Sequence, residues 1–342
     1  MITIKEIAER IGVSPTTVSN VINGRTGKMS EETRKRVEAA LVEYHYVGES
    51  RKEDPNAEMK LIAMDFYLGQ NKDVMTDPFC STLLGAVMRE LRELGRYVVS
   101  ASHEDEDEII RKLASRNVEG GIVLGCPPEK CLDLCRRTAK PVVFIDSGDG
   151  EYDNVGLQDM QGAYEMTSYL IRQGHRRIAF FNDHGGFTPS NRERLLGFRL
   201  AMEQHGLEIF QEDVYQLPLE RNLRYEILRQ FARKKAGREC TAAFFVCDLF
   251  ANEAISIFFS QGISVPEQIS VTGFDDNIYA RLSRPRLTTV RQNPEEKAKE
   301  AVKLLMKRIY GEAVQVYSLH LPTELIVRDS VRYIGQEKEA DR

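Results

Sequence analysis

The sequence predicts two folds in one chain: a small all-α unit, then a larger α/β unit of two lobes built on parallel sheets. Three observations carry the prediction. Residues 1–46 show only helical spacings of apolar side chains, with a Gly at the first break. Residues 47–58, VGESRKEDPNAE, hold no apolar pattern and read as a linker. From Lys60 onward, short apolar runs alternate with helical patterns, the rhythm of a doubly wound sheet covered on both faces. The length agrees, because 342 residues exceed one ordinary core.

The elements follow in order. TIKEIAERIG puts Ile4, Ile7, Ala8 and Ile11 on one helix face, with Thr3 as cap and Gly12 as stop. SPTTVSNVING has Ser14 at the N-cap and Pro15 at the first helical position, where a missing N–H costs nothing. Val18, Val21 and Ile22 form its buried stripe. SEETRKRVEAALVEYHY starts at the cap Ser30, with Thr33 one turn on, and buries Val37, Ala40, Leu41 and Tyr44. Beyond the linker, LIAMDF, YVVSA, GGIVLG, VVFIDS, RIAFFND, AAFFVC and ISVTGFD read as strands. The roughly 270 residues of this region are too many for one sheet, which predicts two similar lobes. A helix over 248–262 places Ala251, Ala254, Ile255, Phe258 and Phe259 on a buried stripe. Phe250 and Ile257, one heptad apart, fall on a second stripe that is expected to be exposed.

Composition narrows the function classes. Hydrophobic content of 42% and charged content of 29% are ordinary for a globular chain. The net charge of −5 does not announce a nucleic-acid partner, and residues 1–46 hold seven Lys/Arg against six Asp/Glu. Any such partner must be argued from pattern rather than bulk charge. No apolar run is long enough to span a bilayer, and the amphipathic MITIKEIAER does not read as a signal peptide, so a cytoplasmic protein is expected. Cys80, Cys126, Cys131, Cys135, Cys240 and Cys247 include no CxxC pair and are expected to be reduced thiols rather than metal ligands. HGGF at 184–187 is unaccompanied by GxSxG, and no GxGxxG, Walker or triad pattern occurs. No catalytic residue, metal or cofactor is therefore expected. The acidic HEDEDEII is the charge pattern of a helix start. GFDDN, at 273–277, follows a strand at the carboxyl edge of a parallel sheet, where α/β proteins bind ligands; turn or cap aspartates are the plainer alternative.

The first two helices and the turn IGVS form a helix-turn-helix pattern. Its second helix carries Thr16, Thr17, Ser19 and Asn20, short polar residues suited to close approach and to hydrogen bonds with bases or phosphates. Standing alone, the pattern fits a polar three-helix bundle equally well.

It does not stand alone. IKEIAERIGVSPTTVSNVING followed by SEETRKRVEAALVEYHY closely resembles the N-terminal signature of the LacI/GalR (lactose-repressor) family. The resemblance continues in order through DPFCSTLLGAVMRELRELGRYVV, EGGIVLG, PVVFID, QGHRRIAFF, RERLLGFRLAMEQHGL, AFFVCDLFANEAI, GISVPEQISVTGFDD and LTTVRQ. It implies a helix-turn-helix DNA-binding domain at 1–46, a hinge at 47–58 and a periplasmic-binding-protein-like effector domain at 59–334. The implied first lobe is about 59–157 plus 291–318, and the second about 158–290 plus 319–334. The implied activity is transcriptional repression, with operator affinity controlled by a small molecule, most simply a sugar or sugar derivative, bound between the lobes.

The family's base-reading positions fall on Pro15, Thr16 and Asn20, and its phosphate contacts on Thr17, Ser19, Asn23 and Thr33, with Tyr46 at the exit of the third helix. Arg25, Lys28 and Arg34 are expected to add phosphate attraction. The linker departs from the family: Pro55 lies where a minor-groove leucine is expected, so hinge-helix formation and DNA kinking stay open. Effector positions fall on Phe79, Ser81, Asp146, Asp275, Gln292 and Arg192, the first Arg of R-x-R, with Arg194 left to structure or solvent. Asp275 and Arg192 are expected to face each other, as ligand contacts or as a plain salt bridge. Cys247 replaces the family's Asn, and Gly125 stands where sugar binders often place an amide. The helix bearing Phe250 and Ile257 lies at the family's dimer interface, and a homodimer would match a pseudo-palindromic double-stranded operator. The tail SVRYIGQEKEADR shows no heptads, so no further coiled-coil assembly is expected. The rival classes are a solute-binding protein, which would need a signal peptide and not residues 1–46, and a sugar-processing enzyme, which would need a catalytic constellation.

Overall fold

The computed structural model describes residues 3–22, 25, 29–44, 46, 59–67, 75–102, 106–183, 188–312 and 315–335. The chain divides into two compact units, Met1–Met59 and Lys60–Arg342.

In the first unit, α1 (Ile4–Arg10), α2 (Pro15–Ile22) and α3 (Glu31–Glu43) surround Ile7, Ala8, Val18, Val37 and Ala40. Each helix starts where a hydroxyl can satisfy free N–H groups. Thr3 and Glu6 make a reciprocal capping box, with Thr3 N donating to Glu6 Oε2 at 2.7 Å. Ser14 Oγ accepts from Thr17 N at 3.1 Å, and Ser30 Oγ from Thr33 N at 3.2 Å. A cap of this kind contributes about 1 kcal/mol. Gly12, at φ 65°, turns the chain between α1 and α2 in a conformation that costs glycine little. Arg36 of α3 donates to the Ile11 carbonyl at 2.6 Å and ties the third helix to the end of the first.

The second unit contains β1 (Leu61–Phe66), α4 (Pro78–Glu93), β2 (Tyr97–Ser102), α5 (Glu106–Leu113), β3 (Val118–Leu124), α6 (Pro128–Arg137), β4 (Val142–Ile145) and β5 (Asn154–Leu157). It continues with α7 (Asp159–Arg172), β6 (Ile178–Asp183), α8 (Pro189–Gln204), β7 (Val214–Leu217), α9 (Arg221–Lys234), β8 (Ala242–Phe245), α10 (Asp248–Ser260) and β9 (Ser270–Asp275). The last elements are α11 (Ile278–Leu282), β10 (Thr288–Arg291), α12 (Pro294–Ile309), β11 (Ser318–Leu321) and β12 (Glu324–Ile326).

Two six-stranded sheets result, ordered β11-β5-β4-β3-β1-β2 and β12-β10-β9-β8-β6-β7. Every pairing is parallel except β10 with β12. The chain passes from one sheet to the other after β5, after β10 and after β11. The seven strands expected from apolar runs are present; β5, β7, β10, β11 and β12 are additional. These five have three or four residues each, and β11 and β12 are partly exposed, so they lack the long apolar signature. In the second lobe, Gly197 of α8 permits close packing on α7, since a Cβ there would lie 2.1 Å from the Met160 carbonyl oxygen.

The helix α10 corrects one expectation. Ala251, Ala254, Ile255 and Phe258 are buried as expected, but so are Phe250 and Ile257, each 6% exposed, whereas Phe259 is 82% exposed. α10 packs on β8 and β9 and is also flanked by α9 and α11, so its covered arc is wider than one helical stripe. Phe250 lies beneath Arg224 of α9, whose guanidinium carbon is 4.9 Å from the ring centre. Phe250 and Ile257 therefore do not form an exposed apolar pair.

Candidate functional site

The first unit presents α2 as its candidate nucleic-acid surface. Val18 faces the core, while Pro15 and Thr16 are exposed and Ser19 and Asn20 are half-buried. The Thr17 hydroxyl lies 2.8 Å from Ser14 Oγ, and the Thr33 hydroxyl 2.8 Å from Ser30 Oγ, so both serve the helix starts as well as facing outward. No hydrogen bond to a described residue holds the side chains of Thr16 and Asn20. Arg25 is exposed; Arg34 is exposed too, but pairs with Glu38 at 2.7 Å. Tyr46 packs against the three-helix core. Asn23, Lys28 and the linker 47–58 lie outside the described residues.

In the second unit, a cavity of about 290 Å³ opens between the carboxyl ends of the strands of both lobes. From the first lobe it receives Phe79 of α4, Gly125 after β3 and Asp146 after β4. From the second come Asp183 at the end of β6, Arg194 of α8, Cys247 and Phe250 around the start of α10, and Asp275 at the end of β9. Gln292, in the second crossover, lies between them. Strand ends gather here because the parallel strands of each sheet point the same way, and a crossover leaves this edge uncovered.

A chain of polar contacts forms the floor. Lys297, fully buried in the first turn of α12, donates to both Asp146 oxygens at 2.8 Å and to Gln292 Oε1 at 2.9 Å. Gln292 Nε2 donates to Asp275 Oδ1 at 2.6 Å. Asp275 lies 4.0 Å from Arg194 Nη1, and Arg194 Nε donates to Asp159 Oδ1 at 2.8 Å. This chain joins the first lobe, through Asp146 and Lys297, to the second, through Asp275 and Arg194. Asp146 and Asp275 hold φ values of 54° and 121°, unusual for residues with a Cβ. Such strain is of order 1–3 kcal/mol and persists only where surrounding contacts over-determine it, as these do. Burial opposes the charge of Arg194, but Asp159 and Asp275 outweigh it and hold the guanidinium above its ordinary pKa. Arg194 also lies over the Phe274 ring, 3.6 Å from its centre.

Beneath the site, Asp248 is completely buried and accepts from Thr289 Oγ1 at 2.6 Å and Asn277 N at 2.9 Å. Burial, then the nearby Asp275, push its carboxyl well above the usual range. Gly273 makes room for it: a Cβ there would meet Asp248 Oδ1 at 2.4 Å.

Phe79, Asp146, Cys247, Asp275 and Gln292 are thus gathered at one cavity. Arg192 is not among them. It is exposed and lines a separate groove with Gln158 and Glu193, so the arginine that meets Asp275 is Arg194. Two residues apart on a helix, the pair point about 200° from each other, and only Arg194 faces the sheet. Ser81 lies outside this cavity and lines an adjoining one with Phe79, Asp275 and Gln292. Sequence reasoning missed Lys297, although a lysine on the apolar stripe with Ala301 and Leu305 is a legible anomaly. It also missed Asp183. The cysteines are free thiols; burial raises Cys135 to about 11 and Cys240 to about 12. The HGGF segment lies outside the described residues.

Comparison with known proteins agrees with the fold. Residues 3–49 match bacterial regulatory proteins of the lacI family, and residues 167–331 match a periplasmic binding protein-like domain. The chain is 30% identical to the HTH-type transcriptional repressor PurR of Photobacterium profundum, over 97% of this chain and 99% of that protein. It is 31% identical to the repressor of the same name from Pectobacterium carotovorum subsp. carotovorum, over 97% of each. Among solved structures, a transcriptional regulator CelR–cellobiose complex superposes with a TM-score of 0.71 at 28% identity, covering 96% of this chain and 100% of that one. The lac repressor dimer bound to operator and the anti-inducer ONPF shares the fold at a TM-score of 0.71 and 23% identity, over 97% and 99% of the two chains. The chain belongs to the lacI family of bacterial regulatory proteins: it is a DNA-binding transcriptional repressor controlled by a small-molecule effector.

Proposed function

We propose that the effector is a sugar or sugar derivative bound in the cavity between the lobes, and that its binding changes the affinity of a homodimer for a pseudo-palindromic operator. The observation that carries this reading is the polar chain Asp146–Lys297–Gln292–Asp275–Arg194, which spans both lobes on the floor of an open cavity. Carboxylates accept from ligand hydroxyls and Arg194 Nη2, the guanidinium nitrogen not given to Asp159 or the Val246 carbonyl, can donate, while Phe79 and Phe250 supply apolar faces. A ligand touching both lobes favours one lobe arrangement over another, which is the condition for it to alter DNA affinity. The cellobiose bound by the CelR regulator supports the ligand class.

In this reading Pro15, Thr16 and Asn20 read bases, because no described residue holds the Thr16 and Asn20 side chains by a hydrogen bond. Thr17, Ser19, Asn23, Arg25, Lys28, Thr33 and Arg34 contact or attract phosphates. The second copy docks on exposed apolar side chains of α10 and α11, Phe259, Ile278 and Leu282, in place of Phe250 and Ile257. No helix among the described residues is long and apolar enough to cross a membrane, and a cytoplasmic, non-catalytic role fits a regulator of DNA. The experiment is a mobility shift of DNA from upstream of the chain's own gene, with and without a saccharide panel. Specific retardation altered by one saccharide is expected; retardation insensitive to every compound that binds the protein would overturn the reading.

A further inference from the structure

We propose that Asp183 is a ligand-binding residue of the cavity and that it selects an effector bearing a protonated amine, such as an amino sugar, over neutral and phosphorylated counterparts. The inference rests on the reading of this cavity as the effector site. Asp183 ends β6 at the edge of the second sheet where β9 presents Asp275, and it lines the cavity. Its Oδ1 is shielded from solvent and accepts no hydrogen bond from any described residue. A carboxylate with one oxygen buried and without a donor is costly, and a ligand cation at the part of Asp183 that lines the cavity offsets that cost.

The surrounding charges indicate which donor. Among the described residues, four carboxylates line the cavity (Asp77, Asp146, Asp183 and Asp275) against two guanidinium groups, Arg194 and Arg224. Neither guanidinium is a spare cation. Arg224 gives Nε and Nη2 to Glu253 at 2.6 and 3.0 Å, and Nη1 to the carbonyls of Pro218 and Leu219. Arg194 gives Nε to Asp159 and Nη1 to the Val246 carbonyl at 2.6 Å. The other carboxylates are already served. Asp146 has Lys297, Asp275 has Gln292 and Arg194, and Asp77 accepts from the backbone N–H groups of Phe79 and Cys80 at 3.0 Å. Asp183 is the carboxylate left without a described counter-charge. A phosphate entering this cavity meets surplus negative charge where screening is poor, whereas an ammonium gains a charge-assisted bond.

The test is titration calorimetry on the full chain with three matched triplets: glucose, galactose and mannose, their 2-amino derivatives, and their 6-phosphates. The amine of at least one triplet should bind about tenfold tighter than its hydroxyl parent, with the phosphate weakest. Asp183→Asn should lower the amine's affinity to that of the parent. Asp183→Ser is a second variant with the same expectation, should the first fail to fold. If a phosphate binds best, or if both variants keep the amine preference, the inference fails; loss of that binding in Asp275→Ala would show that the cavity reading survives. If no member of any triplet binds, or if Asp275→Ala binds as wild type does, the cavity reading fails and the inference with it.

Discussion

Replacing Lys297 by Met removes the cation that serves Asp146 and leaves the shape of the α12 stripe nearly intact. Lys297 is fully buried, and its ammonium makes three hydrogen bonds of 2.8–2.9 Å, two of them to Asp146. Breaking a buried pair from one side typically costs ~3–5 kcal/mol, because the remaining charge is uncompensated. The Asp146 side chain keeps 13% exposure at the cavity wall, so water can reach it and the lower end applies, about 3 kcal/mol. For a unit of this size, 1 kcal/mol moves the melting temperature by ~2–4 °C, giving a fall of ~6–12 °C. Thermal unfolding followed by circular dichroism is the assay. The double variant Asp146→Asn/Lys297→Met has no uncompensated charge and should recover at least half of the loss, a coupling visible in a double-mutant cycle. A single variant that melts within 1 °C of wild type, or a double variant whose loss is the sum of the singles, would refute the reasoning.

Three further outcomes are expected. Asn20→Ala should weaken the best operator by ~1–3 kcal/mol and relax base preference at one position in a selection from random DNA; an unchanged consensus would exclude Asn20 from base reading. Arg194→Ala should abolish effector binding in calorimetry while Arg192→Ala, exposed and away from the cavity, leaves it intact; the reverse pattern would contradict the geometry. His175 is buried with Nδ1 2.9 Å from Thr241 Oγ1, and burial lowers its pKa to about 4. The unfolded chain, with a pKa near 6.5, takes up a proton that the folded chain refuses. The resulting stabilisation is whole above about pH 7, falls as pH drops from ~6.5 to ~4, and totals about 3 kcal/mol. His175→Gln should lose that part of the pH dependence of melting, and equal slopes for the two proteins would rule it out.

Particular residues explain what can be read before the structure. Asp275 is legible because it closes a long apolar strand, and the carboxyl edge of a parallel sheet is where ligands gather. The helix-turn-helix is legible because its caps, Thr3, Ser14 and Ser30, are local chemistry. The family's R-x-R motif points to Arg192, although Arg194 shares a buried stripe with Asn191, Phe198 and Ala201, while Arg192 lies with the exposed Leu196 and Arg199. Burial of Phe250 is not legible in α10 itself, since part of its cover comes from Arg224 of α9, a separate segment of the chain. Asp183 closes the apolar run RIAFFND as Asp275 closes ISVTGFD, so its place at a strand end is legible; only the folded cavity reveals that its Oδ1 lacks a donor among the described residues.

The central claim is that the cavity between the lobes controls DNA affinity. It is tested most directly by operator binding of the full chain, measured by fluorescence anisotropy, with and without the saccharide that binds most tightly in calorimetry. Wild type should change its operator Kd by about tenfold or more, a coupling of at least ~1.4 kcal/mol, and Asp275→Ala should bind operator with no response to the saccharide. An equal response in both proteins would contradict the account.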